Sequence, residues 1–219
     1  YMSNPLISEI LPYYKAVHTL EAAAISILQQ SFSQFELLLI NNASTDHSPS
    51  IAAKLTKQDS RISCIEEPNK GVSHAFNFGL SKAKGQFIAR MDADDVSHPD
   101  RLLKQIDFLN KIKGVDKVAT QVEIPNILQN QGFQEFVDWS NKLLKSEEIY
   151  LARFIEQPVV NPSILCRKYV FTQCGSYKHG NFPEDYDWFL RVMEKGIRIA
   201  KIPKKLLVWN DSISRLSRT

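Results

Sequence analysis

The sequence lacks long apolar runs, charge runs and paired cysteines. No stretch approaches the ~18 apolar residues that a membrane-spanning helix needs, and the amino terminus lacks the charged-then-apolar layout of a signal peptide. The 27 basic residues are scattered and nearly balanced by 24 acidic ones, so we expect no nucleic-acid partner. Cys64, Cys166 and Cys174 lack metal-ligand spacing and predict buried free thiols in a reducing compartment. These absences predict a soluble, cytoplasmic protein.

Length, composition and element order predict one α/β domain. The chain has 219 residues, 43% of them hydrophobic, and no low-complexity linker divides it. In the first half we predict strands at residues 6–11, 35–40, 62–65 and 86–91, and helices at 19–30, 49–58 and 73–83. Strands that alternate with helices of about ten or more residues predict βαβ units and a mainly parallel sheet flanked by helices.

The second half of the chain is less regular. We predict a helix at residues 101–112, a strand at 115–124, helix in the second part of 126–150, and a helix that begins after Pro183. The tail, residues 197–202 and 206–209, alternates like two edge strands.

A cluster of carboxylates follows the fourth predicted strand. Asp92, Asp94 and Asp95 stand where the apolar run ends. Carboxylates held about 4 Å apart repel one another by ~4 kcal/mol at a partly buried site, so three together favour a counter-ion. Oxygen ligands of this hardness select Mg²⁺ or Mn²⁺, which usually bind substrate phosphates as well. An Asp-rich turn before a helix, with Ser97 as N-cap and Pro99 in the first turn, explains the local sequence equally well.

A second polar cluster, residues 41–46, follows the second predicted strand. In parallel sheets, ligands bind beyond the carboxyl ends of the strands. Both polar clusters are predicted to lie at that edge, so we expect them to be neighbours in space.

Motifs in a characteristic order run along nearly the whole chain. They are Ile10-Leu11-Pro12-Tyr13-Tyr14, Asn41-Asn42-Ala43-Ser44-Thr45-Asp46, Asn69-Lys70-Gly71, Asp92-Ala93-Asp94-Asp95, Pro99-Asp100-Arg101-Leu102, Asn161-Pro162-Ser163, Pro183-Glu184-Asp185-Tyr186-Asp187-Trp188 and Trp209-Asn210-Asp211. In this order they resemble the family 2 glycosyltransferases, and Asp92-Ala93-Asp94 is similar to the family's DxD element. The resemblance implies a GT-A fold over residues 1–219, with a nucleotide-binding half at about 1–115 and an acceptor-side half at about 116–219.

The resemblance also implies an activity. It is the transfer of a sugar, with inversion, from a nucleotide-diphosphate sugar, expected to be a UDP-sugar, to an acceptor hydroxyl. It implies Mg²⁺ or Mn²⁺ as cofactor, a glycan or lipid-linked acceptor, and a role in polysaccharide or glycan biosynthesis. We expect any peripheral association with the inner face of the membrane to depend on a segment beyond residue 219.

Site residues carry over position by position. Asp94 and Asp92 form the metal site, with Asp94 as the direct ligand and Asp92 on the ribose or the metal's water shell. Asp185 matches the family's base, because the acceptor hydroxyl must lose a proton as it attacks. The expected donor-binding residues are Pro12, Tyr14, Asn42, Ser44, Asp46, Lys70 and Asp92. Asp46 also suits a turn or N-cap, and Asp187 suits a salt bridge. Trp188 is either core or an acceptor-side wall.

Some positions depart from the family pattern. Asn41 and Asn42 stand where the family commonly has two aspartates, one of which binds the nucleobase. An Asn carbonyl still accepts a hydrogen bond from uracil N3–H, but its amide also donates. Phe76 stands where many relatives have an arginine. Glu9 interrupts the first strand and marks either a sheet edge or a locally polar site.

Two other functions compete with sugar transfer. The changes at Asn41 and Asn42 leave open a non-catalytic nucleotide-sugar-binding module with a degenerate donor site. A nucleotidyltransferase ranks last, because it needs a Gly-rich basic loop near the first strand, and residues 11–15 contain no glycine.

Overall fold

One mixed sheet of eight strands forms the centre of the protein. The computed structural model describes residues 4–125 and 131–210, so Asp211 lies outside the described residues. The strands are β1 (Ile7–Tyr13), β2 (Phe35–Asn41), β3 (Ile62–Glu66), β4 (Phe87–Arg90), β5 (Val96–Ser97), β6 (Lys117–Glu123), β7 (Leu165–Arg167) and β8 (Ile199–Val208). Their order is β3-β2-β1-β4-β7-β6-β8-β5. The first four strands are parallel, as are β6 and β8, whereas β7 and β5 pair antiparallel with their neighbours. The predicted mainly parallel sheet is therefore confirmed.

Helices cover both faces of the sheet. They are α1 (Leu20–Leu28), α2 (Ser48–Gln58), α3 (Val72–Lys82), α4 (Arg101–Lys111), α5 (Gln131–Lys142), α6 (Ser146–Ala152), α7 (Tyr169–Cys174) and α8 (Glu184–Glu194), with a 3₁₀ turn at Asn161–Ser163. Side chains alternate along a strand, so Leu37 and Leu39 pack in the core with α1, α2 and α4, whereas Leu38 and Ile40 pack with α3, α7 and α8. Among the described residues, no helix has the length and apolarity needed to cross a membrane.

The first strand continues past its predicted end and includes Pro12 and Tyr13. The carbonyl of Ile10 accepts from the N–H of Met91 (3.2 Å), whereas the carbonyl of Tyr13 accepts from the N–H of Asn42 (2.9 Å). Alternate residues of a strand bond to opposite neighbours, so Pro12 faces the β4 side. Because β4 has already ended there, a residue without an N–H is tolerated.

The prediction of two edge strands in the tail was wrong. The tail forms a single strand, β8, which lies between β6 and β5. Its pairing with β6 jumps from Thr120 opposite Ile202 to Gln121 opposite Lys205. The two extra residues form a bulge, which interrupts the alternation of apolar and polar residues. The sequence pattern therefore looked like two separate strands.

Two further expectations need correction. Ser97 is not the N-cap of α4, which begins after Asp100; its hydroxyl instead accepts from the Arg101 Nε–H (2.7 Å) and lies in β5. Cys64 is exposed rather than buried, because it lies on the edge strand β3. Cys166 and Cys174 are buried free thiols, as expected.

A buried ion pair ties the centre of the sheet to the start of α4. Glu9 and Arg101 are both fully buried, and their side chains meet at 2.8 Å. Glu9 lies in β1, a central strand, so the edge interpretation was wrong and the locally polar one was right. Removing one partner of a buried pair leaves the other charge without compensation, which is far more costly than losing an exposed pair.

We expect Arg101→Met to lower the free energy of unfolding by ~3–5 kcal/mol, measured by urea denaturation. The control is Lys54→Met, which removes an exposed pair with Glu21 and should cost at most ~1 kcal/mol. A loss below ~1 kcal/mol for Arg101→Met would show that Glu9 is not held as a charged partner of this arginine.

Candidate active site

The loops that follow β1, β2, β3 and β4 lie at one edge of the sheet. These strands run parallel, so their carboxyl ends point the same way. The first three loops touch one another, because the Asn42 side chain bonds to the loop of residues 67–71 and the Lys70 ammonium lies 5.5 Å from the centre of the Tyr14 ring. The expected placement of the polar clusters 41–46 and 92–95 at one edge is therefore confirmed.

The carboxylate cluster is compact. One side-chain oxygen from each of Asp92, Asp94 and Asp95 lies within 4.8 Å of the others. Asp95 is buried and accepts the backbone N–H of Asn210 (3.0 Å), and the Asn210 side chain donates to the carbonyl of Asp94 (2.6 Å). The segment after β8 thus braces the cluster from the other half of the chain.

The residues present fit a hard divalent cation. The cluster offers carboxylate oxygens alone, which Mg²⁺ and Mn²⁺ prefer over the nitrogen and sulfur ligands that zinc and copper take. Asp92 and Asp94 are both half-buried, so their charges are less screened by solvent than at an open surface. A single small ion can therefore be shared between these two carboxylates.

The side chain of Asn42 organises the loop before α3. Its amide donates to the carbonyls of Glu67 (3.3 Å) and Asn69 (2.7 Å), and its oxygen accepts from the N–H of Gly71 (2.8 Å). Gly71 has a φ of +128°, a conformation that glycine adopts without strain. An aspartate at position 42 could not donate to either carbonyl. The predicted contact of Asn42 with the nucleobase stays a prediction.

Tyr14, Ser44, Lys70 and Pro12, which were also predicted to bind the donor, lie in or beside the loops that follow β1, β2 and β3. Tyr14 is exposed, and the ammonium groups of Lys15 and Lys70 lie 5.4 and 5.5 Å from the centre of its ring. Ser44 accepts the backbone N–H of Lys15 (3.1 Å). The half-buried Pro12 lies at the end of β1. This group presents a ring face and two cations at the sheet edge.

Asp46 has the local role that its turn position predicted. Its carboxylate accepts from both the backbone N–H (3.1 Å) and the hydroxyl (2.9 Å) of Ser48, at the start of α2. Partial burial opposes ionisation, but these hydrogen bonds outweigh it and hold the pKa of Asp46 below its usual range. Its predicted contact with the donor stays a prediction.

Asp185 lies in the first turn of α8, directly after Pro183 and Glu184. Burial raises the pKa of Asp185, and the positive charge of Arg90 works in the opposite direction. Burial and then the neighbouring Asp185 charge raise the pKa of Glu184. Asp187 pairs with Arg191 at 2.7 Å, so its predicted salt bridge is confirmed. A carboxylate with a raised pKa in a partly desolvated place suits proton abstraction.

Arg90 is the site residue that our sequence reasoning missed. It ends β4, is almost fully buried, and its guanidinium lies 2.7 Å from the carboxylate of Asp92. Burial lowers the pKa of Arg90, but the charges of Asp92, Tyr177, Asp185 and Glu184 outweigh burial and raise it. The signal was an arginine at the end of an apolar run, directly before an acidic cluster, because such a charge is rarely buried without a partner.

Two aromatic side chains singled out in the sequence, Trp188 and Phe76, belong to the core. Trp188 is fully buried and stacks on Phe171, so it is core and not an acceptor-side wall. Phe76, at the position where an arginine is common, is also fully buried and stacks on Tyr177. Tyr177 in turn bonds to Asn161 at the start of the Asn161-Pro162-Ser163 motif.

Comparisons with known proteins identify the family of this chain. The model of the family described as Glycosyl transferase family 2 matches residues 8–174. The putative glycosyltransferase EpsE of Bacillus subtilis is 34% identical to this chain, and the match covers 90% of this chain and 69% of EpsE. The amylovoran biosynthesis glycosyltransferase AmsE of Erwinia amylovora is 27% identical, and the match covers 86% of this chain and 69% of AmsE. The chain spans 34% to 69% of the length of three of its curated relatives.

Two solved structures share the fold. TarS of S. aureus (residues 1–349) in complex with UDP-GlcNAc superimposes with a TM-score of 0.78 at 17% identity, over 95% of this chain and 59% of that one. The mannosyltransferase PcManGT of Pyrobaculum calidifontis, in complex with GDP-Man and Mn²⁺, gives 0.76 at 19% identity, over 97% and 59%. The predicted GT-A fold is confirmed. The family model, which covers more than half of the residues, shows that this chain belongs to glycosyl transferase family 2.

Proposed function

We propose that this protein transfers a sugar from a nucleotide-diphosphate sugar to an acceptor hydroxyl, with inversion and with the help of Mg²⁺ or Mn²⁺. One observation carries the proposal: Asp92, which follows β4, pairs with the buried Arg90 at 2.7 Å, and the acids that open α8, Glu184 and Asp185, act electrostatically on the same arginine. This shared contact supports a cation site for a leaving diphosphate and a base for an attacking hydroxyl in one neighbourhood.

Each half of the site has its own task in this proposal. The bound cation supplies positive charge to the leaving diphosphate. Asp94 would hold it, with Asp92 on the ribose or on the ion's water shell. Asp185 would accept the proton of the acceptor hydroxyl, on the face of the sugar opposite the leaving group, which inverts the anomeric carbon. Asp185 suits this role because desolvation makes its carboxylate more basic than an exposed one.

We infer that the donor is a UDP-sugar. The TarS structure contains UDP-GlcNAc, which favours uridine, whereas that of PcManGT contains GDP-Man and Mn²⁺. Tyr14 offers a ring face on which a base can stack. The free lone pair of the Asn42 oxygen can accept from the N3–H of uracil. Both features suit a pyrimidine that presents an N–H between two carbonyl groups.

The acceptor and the setting are also proposals. The name of AmsE refers to biosynthesis of the polysaccharide amylovoran, which supports a glycan or lipid-linked acceptor in polysaccharide biosynthesis. A cytoplasmic location, at the inner face of the membrane, follows from the same proposed role.

A nucleotide-sugar-binding module without turnover is the second candidate. Its supporting observation is that the amides of Asn41 and Asn42 already bond within the protein, to Glu66 and to the loop of residues 67–71. Donor binding without hydrolysis or transfer, over a broad set of acceptors with Mn²⁺, would favour this module over the enzyme.

We expect Asp94→Ala to weaken Mn²⁺-supported binding of UDP at least ~100-fold, measured by calorimetry, because the proposed direct ligand of the ion is lost. Asp107→Ala is the control, since Asp107 is exposed on α4, and it should leave binding unchanged. Equal Mn²⁺ enhancement of UDP binding in both variants would contradict the metal assignment.

We expect Asp185→Asn to bind the donor with an affinity within ~3-fold of wild type while kcat falls ~10²–10⁴-fold, because only proton transfer is removed. The matched control is Asp187→Asn, two residues along the same helix, which should keep most of the turnover. Near-normal turnover of Asp185→Asn would show that another residue is the base.

In the wild type, kcat/KM should fall with decreasing pH at values above the ordinary Asp pKa of 3.8, because burial raises the pKa of the base that must be ionised.

We expect UDP and TDP to bind at least ~10-fold more tightly than CDP and GDP in the presence of Mn²⁺, measured by calorimetry. The reason is that uracil and thymine both present N3–H to an acceptor, which cytosine does not. Tightest binding of GDP would instead indicate that the donor is a GDP-sugar.

A further inference from the structure

The loop that leads to the proposed base is attached to α3 at its start. Residues 178–183, which we call the base loop, are exposed and run directly into the first turn of α8, where Asp185 lies. The residue before them, Tyr177, is buried, and both of its backbone groups bond to Asn77 of α3. Its N–H donates to the Asn77 oxygen (3.1 Å), and its carbonyl accepts from the Asn77 amide (2.8 Å). The base loop therefore starts from a fixed point on α3.

Two further contacts continue along α3 toward its first turn. The carbonyl of Lys178 accepts from the hydroxyl of Ser73 (3.2 Å), which lies one helical turn before Asn77 on the same face. The imidazole of His179 stacks on that of His74, with ring centres 3.5 Å apart and planes inclined by 14°. The exposed ring of His179 is thus held by the nucleotide-binding half of the chain.

His74 also lies beside the loop that is proposed to bind the donor. α3 begins directly after Gly71, whose N–H donates to the Asn42 oxygen (2.8 Å). A β-carbon at position 71 would lie 3.4 Å from the Cδ2 atom of His74, so the imidazole is next to this loop. A continuous path of neighbouring residues therefore runs from Asn42 through Gly71 and His74 to His179.

We propose that His74 and His179 are positioning residues: their stacked rings hold the base loop against the loop of residues 67–71, so that a nucleotide bound beside Asn42 fixes the chain that leads to Asp185. The inference rests on the proposed function for the place where the nucleotide binds. In this role neither imidazole touches the reacting atoms or transfers a proton. The stack instead makes the acceptor side of the site respond to an occupied donor side.

A stack that involves an exposed ring suits a reversible coupling of this kind. Exposed loops open locally at a small cost in free energy. A nucleotide that orders residues 67–71 reduces the freedom of His74, so less freedom remains to be lost when His74 holds His179. Binding at one loop is thereby coupled to order in the other, and thermodynamic linkage makes the coupling reciprocal.

Hydrogen–deuterium exchange of the base loop, read by mass spectrometry with and without UDP and Mn²⁺, tests the proposal. In the wild type we expect UDP to slow amide exchange in residues 178–182 at least ~5-fold. In His74→Ala and in His179→Ala we expect UDP affinity within ~2-fold of wild type, measured by calorimetry, and less than ~2-fold slowing in the base loop. The double variant should match the single ones, because each change breaks the same stack.

A conservative variant separates the coupling from a general loss of structure. His179→Phe keeps a flat ring that can stack on His74, so it should restore at least about half of the slowing. The matched control is His98→Ala, because His98 is an exposed histidine whose ring accepts the Asp100 N–H before α4, and it should respond to UDP as the wild type does. Circular dichroism establishes that each variant is folded, and if one alanine variant does not fold, the other carries the same expectation.

Slowing that persists in both alanine variants overturns the proposal, as does wild-type protein that binds UDP without slowed exchange in the base loop. Failure of His179→Phe to restore the slowing overturns it as well. Full coupling in a protein that turns over no donor overturns the proposed function alone. Wild-type protein that does not bind UDP overturns the UDP donor, and GDP with Mn²⁺ then replaces UDP in the same measurements. Binding of neither nucleotide overturns both proposals.

Discussion

The concentration of carboxylates beyond β4 is the constraint on which the rest of the site depends. Asp92, Asp94 and Asp95 lie within 4.8 Å of one another, and α8 brings Glu184 and Asp185 toward the same buried arginine. Like charges this close repel by several kcal/mol at a partly buried site, so such a cluster is stable only where cations share the space. Arg90 supplies one positive charge within the protein. In the proposed function a divalent ion would supply more, so the acidic cluster favours a bound cation.

A second buried ion pair involves β1, the strand next to β4. Glu9 in β1 is as buried as any core residue, and Arg101 at the start of α4 neutralises it. The Glu9–Arg101 pair joins the parallel strand β1 to the helix α4, whereas Arg90 at the end of β4 pairs with Asp92 in the loop that follows it. Such pairs add little net stability compared with apolar packing, but loss of either partner leaves a buried charge uncompensated. The loops beyond these strands form the proposed donor site.

Sequence reasoning was most accurate where a residue's role depends on near neighbours in the chain. The strands and helices of the first half were predicted within a few residues, because alternation and helical spacing are local. The predictions for the end of β1, for β8 and for the hydroxyl of Ser97 were wrong. Each of these features depends on which strand or side chain lies opposite in the fold. Asp92 and Asp94 stood out in a local run, whereas Asp185 could be assigned only by resemblance. The local signal for Arg90, its place directly before Asp92, was missed, and its other acidic neighbours on α8 lie far along the chain. The bonds of Asn42 go to backbone carbonyls, which have no sequence signature.

The two asparagines after β2 depart from the family pattern, and both have a structural role. Asn42 uses both amide hydrogens on the carbonyls of Glu67 and Asn69, and these bonds hold the turn that leads through Gly71 into α3. A carboxylate there would repel those carbonyls, so the amide and the loop form one compatible unit. Asn41 similarly donates to Glu66 and accepts from Ser44, which fixes the start of the next loop. The asparagines thus replace two negative charges with a hydrogen-bonded frame, and Lys15 and Lys70 beside Tyr14 make the same edge more positive. The proposed donor site, built this way, would attract a nucleoside diphosphate more through charge and ring stacking than through a carboxylate that contacts the base.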